Sequence, residues 1–414
     1  VTPPTNTLAA ASSISAHVDA RFGAEQMCAE VASRLGPGPV DLVLFFATAS
    51  HLGLMAQVGA MIGARLGPRC LLGVSCESVV GGDVEIERSA GLSMIALRLP
   101  GVRLHPFTAA AMIEIDMSAD DGLDRLGRAF GAGPDLRATI LLVDPFSVPL
   151  VNMLPAMCAA RDEGRVGAIL GAMASASPTA GGNLLMLNDR VFSTGAVGVS
   201  ISGPVRIDSF VSQGCRPIGD NYVITGAKRN LITHLGGRPV VEVLQHLIEP
   251  MDEHDKELLQ RGGLLIGRVV TEYKERFGQG DYLIRNVMNV NPQMGAMGVA
   301  DLVRVGQTIR FHVRDAQAAH DDLAMMLDAQ KLHGRPVGAL AFTCNGRGTN
   351  LFPEPSHDAW AIAHAFDNGE DGSSSEQLPV AGFFGAGEIG PIGDESFVHG
   401  HSVAVALFRE LVGE

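Results

Sequence analysis

Three stretches of the chain repeat one order of signals, and a repeat constrains a fold more than any local reading does. The first runs DLVLFFATASH, LMAQVGAMIGARLG, RCLLGVSCESVVGG and GLSMIALRL. The second runs ATILLVDPFSVP, VNMLPAMCAARDEG, GAILGAMASASPTAGG and GAVGVSISG. The third runs GALAFTCNGRGTNLFPEPSH, DAWAIAHAF, LPVAGFFGAGEIGPIG and FVHGHSVAVALF. Each reads as an apolar strand, a polar or Pro/Gly loop, a helix, a second strand closed by a glycine-rich turn, and a further strand. Phe45 to Gly73 and Val143 to Gly171 are both 28 residues apart. Phe342 to Gly382 is 40, the excess lying in a longer first loop and in the insert NGEDGSSSEQ, read as a solvated loop.

Strand–helix–strand predicts parallel pairing, because a crossover helix joins parallel strands and a hairpin cannot. Both strands of a repeat then end on one side, the edge where open α/β sheets usually bind ligands. ATASH is thereby predicted beside VSCES, DPFSVP beside MASAS, and TCNGRG beside GAGEIG. Between the second and third repeats, VRIDSFVSQGCRPIG, DNYVITGAKRNLITHLGG and RPVVEVLQHLI read as strand, hairpin and helix. DYLIRNVMNVN, MGAMGVA and TIRFHVRDA follow as strands, and AQAAHDDLAMMLDAQ as a helix. The predicted fold is α/β, with mixed sheets built from three strand–helix–strand–strand units plus an inserted β-rich region. The predicted domains are residues 1–35, an N-terminal extension with the first helix and about ten mobile residues; 36–235, two repeats; and 236–414, the third repeat with the β-rich region.

At 414 residues the chain exceeds one ordinary core. Its 46% hydrophobic and 18% charged content fits a large packed interior. The net charge of −14 supplies no basic footprint for nucleic acid and disfavours anionic membranes. Leu42–Ala64 has the length of a membrane span, but ATASH breaks it into a strand and a helix. Six scattered cysteines without a CxxC pair read as free thiols of a reducing compartment. The N-terminus lacks the marks of a signal peptide, so a cytoplasmic location is expected.

Four motifs bear on chemistry. GAGEIG matches the dinucleotide pattern GxGxxG, but Pro391 and a strand follow where that motif needs a helix N-terminus. It reads instead as a turn whose amides, Gly387 among them, approach a ligand, with Glu388 able to hold an ammonium. In TCNGRG, Gly346 relieves crowding, Asn345 tolerates left-handed geometry and Arg347 can clamp a carboxylate. HGH places His399 and His401 on one strand face; such a pair is more often structural than metal-binding, and His399 is assigned to a ligand wall. QGCRPIG offers Cys215 as a further site residue. Cys344 and Cys215 are the candidate nucleophiles, but neither sits in a catalytic signature, and no GxSxG, HExxH or Walker A pattern occurs. Trp360, on the AWAIAHAF stripe, reads as core packing. No cofactor, metal or catalytic residue is assigned.

GRPVVEVL, TIRFHVRDA, ALAFTCNGRGTNLF and VAGFFGAGEIGPIG with FVHGHSVAVALF resemble the FIST family over roughly residues 35–410. CNGRG, GFFGAGEIGPIG and HGH come in family order; CES at Cys76–Ser78 replaces the expected small-residue turn. The resemblance implies a stand-alone intracellular sensory module of bacterial type for a small ligand, with amino acids suggested, acting through a separate signalling partner. Arg347 and Glu388 facing one cavity, with Asn345 and His399 on its wall, would suit such a zwitterion. An enzyme using a pocket cysteine or histidine, and a ligand-free interaction scaffold, are the other two readings.

Overall fold

The apolar runs that open the repeats are the strands Leu42–Thr48, Leu136–Val143 and Gly338–Cys344 in a computed structural model of the chain, which describes residues 7–161, 167–274, 276–367 and 377–411. They are buried on both faces almost throughout, hence their unbroken apolar character. Each pairs in parallel with the second strand of its repeat, Cys70–Cys76, Ala168–Met173 and Val380–Gly385. The helices Met55–Leu66, Leu150–Ala159 and His357–His364 lie between the paired strands in the sequence. The three loop pairs therefore adjoin as predicted: Thr48 pairs with Cys76, Ala174 N–H donates to Val143 O, and Asn345 N–H donates to Gly385 O.

A glycine recurs at one place in all three second strands. Gly73 sits opposite Phe45, Gly171 opposite Leu141 and Gly382 opposite Ala341, giving separations of 28, 30 and 41. The equal spacing of 28 read through Val143 was thus one of sequence and not of register, since Val143 pairs with Met173. None of the three sites has room for a side chain. A Cβ would lie 2.3 Å from the Phe45 ring at Gly73, and 1.8 Å from the carbonyl oxygens of Leu141 and Ala341 at the other two.

The recurring order is longer than the sequence showed, because each repeat is preceded by an outer strand and a helix. These are Ala9–Ser15 and Ala20–Leu35, then Arg103–Thr108 and Gly122–Phe130, then Val205–Gln213 and Ala316–Lys331. The expected N-terminal extension is therefore a strand from Ala9, paired with Leu92–Arg98, and a helix capped by Asp19. Of the ten or so residues expected to be mobile, Ala9 and Ala10 are instead in this paired strand, and 1–6 lie outside the described residues, as do 368–376 of the acidic-serine insert.

Three six-stranded sheets result, and they exchange hairpins. The hairpin Val79–Gly81/Val84–Ile86 of the first repeat pairs with Val380–Gly385 of the third. The hairpin Leu185–Leu187/Arg190–Phe192 of the second pairs with Cys70–Cys76 of the first. The strands Glu388–Ile392 and Glu395–His399 of the third extend the sheet of Ala168–Met173 of the second. One core lies among the sheets, with Leu44 and Phe46, Ile140 and Leu142, and Leu340 and Phe342 contributed by the three first strands. Phe383 stacks on Phe46 at 5.2 Å and meets Phe342 edge-on at 5.8 Å. Helices cover the far faces of the first two sheets in separate apolar clusters.

The chain divides into a larger body, Val1–Val211, Ala324–Val398 and Val403–Glu414, and a smaller one, Ser212–Leu323 with His399–Ser402. The third repeat thus groups with the first two and not with the β-rich region. In the smaller body six antiparallel strands run in the order Cys215–Lys228, Thr308–Arg314, Leu264–Val269, Tyr282–Asn291, Ala296–Val299, Leu231–Leu235. The last pairs with the first again, closing these six into a barrel, and with a seventh, two-residue strand Arg238–Pro239 besides. Helix Val240–Ile248 adds Val240, Val243, Leu244 and Leu247 to the barrel's apolar core.

Two further expectations meet the structure here. Leu42–Ala64 is a strand, a 3-10 turn and a helix, and no helix among the described residues is long and apolar enough to cross a membrane. Trp360 is 59% exposed, because the helix buries Ala359, Ile362 and Ala363 and turns the indole outward. The core reading of Trp360 is corrected.

The glycine register yields a paired test. Gly382→Ala forces a Cβ against backbone and should lower unfolding free energy in urea by about 3 kcal/mol. Gly63→Ala, in a helix with nothing within 4 Å of the new methyl, should raise it by about 0.5–1 kcal/mol.

Candidate functional site

The hairpin exchange brings the carboxyl ends of the three second strands together. Equivalent bonds fix them: Ser75 N–H donates to Leu184 O, Met173 N–H to Gly387 O and Phe384 N–H to Ser78 O, each at 2.9 Å. Ser175 then ties all three ends. Its hydroxyl accepts from Glu77 N–H at 2.9 Å and donates to Phe384 O, while its own N–H donates to Ser75 O at 3.3 Å. Ala386 N–H donates to Met173 O at 3.1 Å. Glu77 and Ser175 are half-buried at this edge and Ala386 is exposed.

The CNGRG loop borders the same edge through the 3.0 Å bond from Asn345 N–H to Gly385 O. Gly346 N–H donates to Cys344 Sγ at 3.4 Å, and the Asn350 side chain donates to Asn345 O at 2.8 Å. Gly348 takes a φ of 55° and rests on Glu87, whose Oε1 would lie 2.7 Å from a Cβ there. Glu87 accepts from the N–H and the hydroxyl of Thr349, and Arg88 donates to Thr349 and Asn350. A turn of the first repeat thus clasps a loop of the third.

Beneath the loop, Arg347 is 0% exposed and binds Asp358 with two parallel bonds, Nε to Oδ2 at 2.6 Å and Nη2 to Oδ1 at 2.8 Å. Asp358 stands in the first turn of helix His357–His364. Its neighbour His357 has Nδ1 3.0 Å from Oδ1, and the His357 ring stacks on Phe352 at 3.6 Å. The Arg347 guanidinium lies 5.2 Å over that same Phe352 ring. Glu85, from the hairpin of the first repeat, accepts from Ala359 N–H at 3.1 Å. Burial alone would raise the Asp358 pKa, but Arg347 overrides it and holds the group at about 2. Burial, reinforced by the Asp358 charge, pushes Glu85 up to about 8. The cluster therefore carries one cation, one carboxylate and one protonated carboxyl at neutral pH.

This alters the expected roles. Arg347 was expected to meet a ligand carboxylate in one cavity with Glu388. Its fork is instead taken up by Asp358, and the loop geometry depends on it. Glu388 opens the strand Glu388–Ile392, fully buried and paired with Ala172. Gly387, at φ 155°, supplies the carbonyl that Met173 uses. GAGEIG is a strand end, a turn and a strand, with no helix after it. Asn345 and Gly346 lie at the edge as expected. Cys215 and His399 group with the smaller body, Cys215 fully buried at the start of its strand. HGH does not share a strand face, because the strand ends at His399 and His401 turns at a φ of 61°. None of the six cysteines is in a disulfide. The sequence reading missed Asp358, Glu85, Glu77 and Ser175; only Asp358, an acid in a helix's first turn 11 residues after Arg347, left a local signal.

The match to a known family divides the chain near residue 240 and not at the bounds of the two bodies. The FIST N domain matches residues 41–238 and the FIST C domain residues 241–391. An uncharacterized protein of Mycobacterium tuberculosis (strain CDC 1551 / Oshkosh) is 34% identical over 95% of this chain and 98% of its own. One from Mycobacterium bovis (strain ATCC BAA-935 / AF2122/97) is 33% identical over 94% and 96%. Among solved structures, the crystal structure of cyanuric acid hydrolase from A. caulinodans aligns over 98% of this chain and 100% of its own, with 10% identity and a TM-score of 0.34, too low to support a conclusion.

Two measurements test the cluster. Asp358→Ala strands a buried guanidinium and should cost about 3–5 kcal/mol in urea unfolding, with Arg347→Ala similarly severe. Glu85 holds its proton up to about pH 8 when folded but releases it from 4.5 when unfolded. Across that window the folded chain binds the extra proton, so Glu85 makes stability fall as pH rises. Glu85→Gln should flatten that slope by on the order of 1–3 kcal/mol between pH 5 and 8 and stabilise the chain most at the alkaline end.

Proposed function

The chain belongs to the FIST family, a family of sensory ligand-binding domains in signal transduction, and from that premise we propose that it binds a small amino-acid-like ligand at the carboxyl edge of the larger body and passes the signal to a separate partner protein. The observation that carries this reading is a pair of buried polar atoms two residues apart on one loop. Asn345 Oδ1 has no donor and Arg347 Nη1 has no acceptor among the described residues. Buried polar atoms without partners are rare because each costs about 1–3 kcal/mol. A ligand bringing both an N–H donor and a carboxylate would satisfy the two together. Glu77 is half-buried, its backbone N–H is tied into the same edge through Ser175, and its carboxylate suits the ammonium end. Gly346 and Gly387 keep the neighbouring backbone open to close approach.

The Arg347–Asp358 pair gives such binding a mechanical route outward. It joins the ligand loop to the helix His357–His364, whose outer side carries the exposed Trp360. That tryptophan is the single one in the chain and so reports on this helix alone.

A thermal-shift screen of the common amino acids and related acids, each at millimolar concentration, tests the reading. A ligand at about 100 times its Kd adds about 2.7 kcal/mol, a Tm rise of about 2–4 °C for a chain this size. The same ligand should move the Trp360 emission. Asn345→Ala should abolish both responses while leaving the unliganded Tm within about 1 °C. A flat screen, or an unaltered response in Asn345→Ala, would overturn it.

A further inference from the structure

The smaller body carries a groove of its own, about 450 Å³ in volume, beside the helix that fills the barrel. Its shape comes from a break in strand Cys215–Lys228, where the pairing with Thr308–Arg314 jumps from Ile218 to Asn221. Gly219 makes the bulge at a φ of 61°, and a Cβ there would lie 2.5 Å from Leu247, so the bulge seats directly on the helix. Both sides of it are pinned. Gly219 O accepts from Arg310 Nε at 2.9 Å, and Asn221 Oδ1 accepts from the Tyr282 hydroxyl at 2.7 Å. Tyr222, on the groove, is held edge-on to Phe311 at 5.8 Å. Bulges of this kind re-aim side chains next to binding sites, and the pinning makes this one preformed.

The charges in the groove are unevenly matched. Asp255 is neutralised by Arg216, which also binds Asp315. Asp220 and Arg238 are both exposed on the groove, and solvent and salt screen the two alike. Arg238 has no acidic partner among the described residues, although acids outnumber bases 45 to 31 in the chain. His246 Nδ1 lies 2.7 Å from Glu242 O and so carries the ring proton, which fixes the ring in the groove wall. Leu247, Pro250 and Met251 form an apolar side. A rigid groove with one uncommitted guanidinium and an apolar wall is a combination that recognises a carboxylate with a hydrocarbon chain.

We propose that this groove is a second ligand site, taking a small organic carboxylate that sets its charge on Arg238 and its apolar chain against Leu247 and Met251. The site is independent of the edge in the larger body. Saturation-transfer NMR on the full chain, with isovalerate and phenylacetate as probes and isovaleramide as the neutral control, tests it. Transfer should reach the methyl or ring protons of the acids at millimolar concentration and be absent for the amide. Arg238→Gln, at an exposed position, should weaken binding at least about tenfold with Tm unchanged, because a charge-assisted pair is lost. Met251→Glu should abolish it by charging the apolar wall. Asn345→Ala should leave it unaltered, which separates this site from the one at the edge. No transfer from either acid, equal binding of the amide, or unchanged affinity in Arg238→Gln would overturn the proposal.

Discussion

Every second strand of the larger body has one edge covered by its own first strand and the other by a hairpin from a different repeat. No repeat can therefore complete its sheet alone. An unpaired strand edge exposes a row of backbone donors and acceptors, and here those rows are satisfied only once all three repeats are present. The glycine at one register position in each second strand lets the parallel pair close tightly, since a Cβ at Gly171 or Gly382 would strike the neighbouring carbonyl. The three carboxyl edges are brought together by the same exchange, so the candidate site is a consequence of how the fold closes.

The buried ion pair beneath the site illustrates why position and exposure decide a role. Arg347 and Asp358 are both taken out of water, and a pair so buried gives little net stability over apolar packing. What it supplies is geometry, since the bidentate fork fixes the CNGRG loop to the helix start and the cation stacks over Phe352. Glu85 adds a third ionisable group from another repeat, and its proton prevents two carboxylates from facing each other charged. The larger body is thus tuned at this point by residues more than 250 positions apart in the chain.

Much of the frame was legible because apolar periodicity and glycine turns are local properties. The three first strands, their crossover helices and the adjoining loops follow from that grammar, and so does the helix at Ala316–Lys331. The exchanged hairpins were not legible, because the short strands Val79–Gly81 and Leu185–Leu187 give no local sign of which sheet they join. The outer strand Ala9–Ser15, AAASSIS, lacks the bulky apolar residues by which strands are usually read, and only its pairing with Leu92–Arg98 makes it one. Arg347 was found for its type and place, but its partner was not, since nothing in a sequence distinguishes an arginine wholly open to a ligand from one whose Nε and Nη2 are already held by a buried aspartate. Trp360 was misread because a short helix with alanines on one side turns its largest residue to solvent.

The recurring frame also shows where the repeats part company. The loop after the first strand buries a polar side chain in each: His51 in the first, Asp144 in the second and Arg347 in the third. Burial lowers the His51 pKa and favours its neutral ring, Asp144 accepts from the Ser147 hydroxyl, and Arg347 is locked to Asp358. Three different side chains thus fill the corresponding loops of the threefold frame. The third repeat is also the one whose outer strand and helix are separated by the whole barrel segment. The barrel thus enters the threefold frame as an insertion ahead of Gly338–Cys344, and the strand order of the third repeat stays the same as that of the first two.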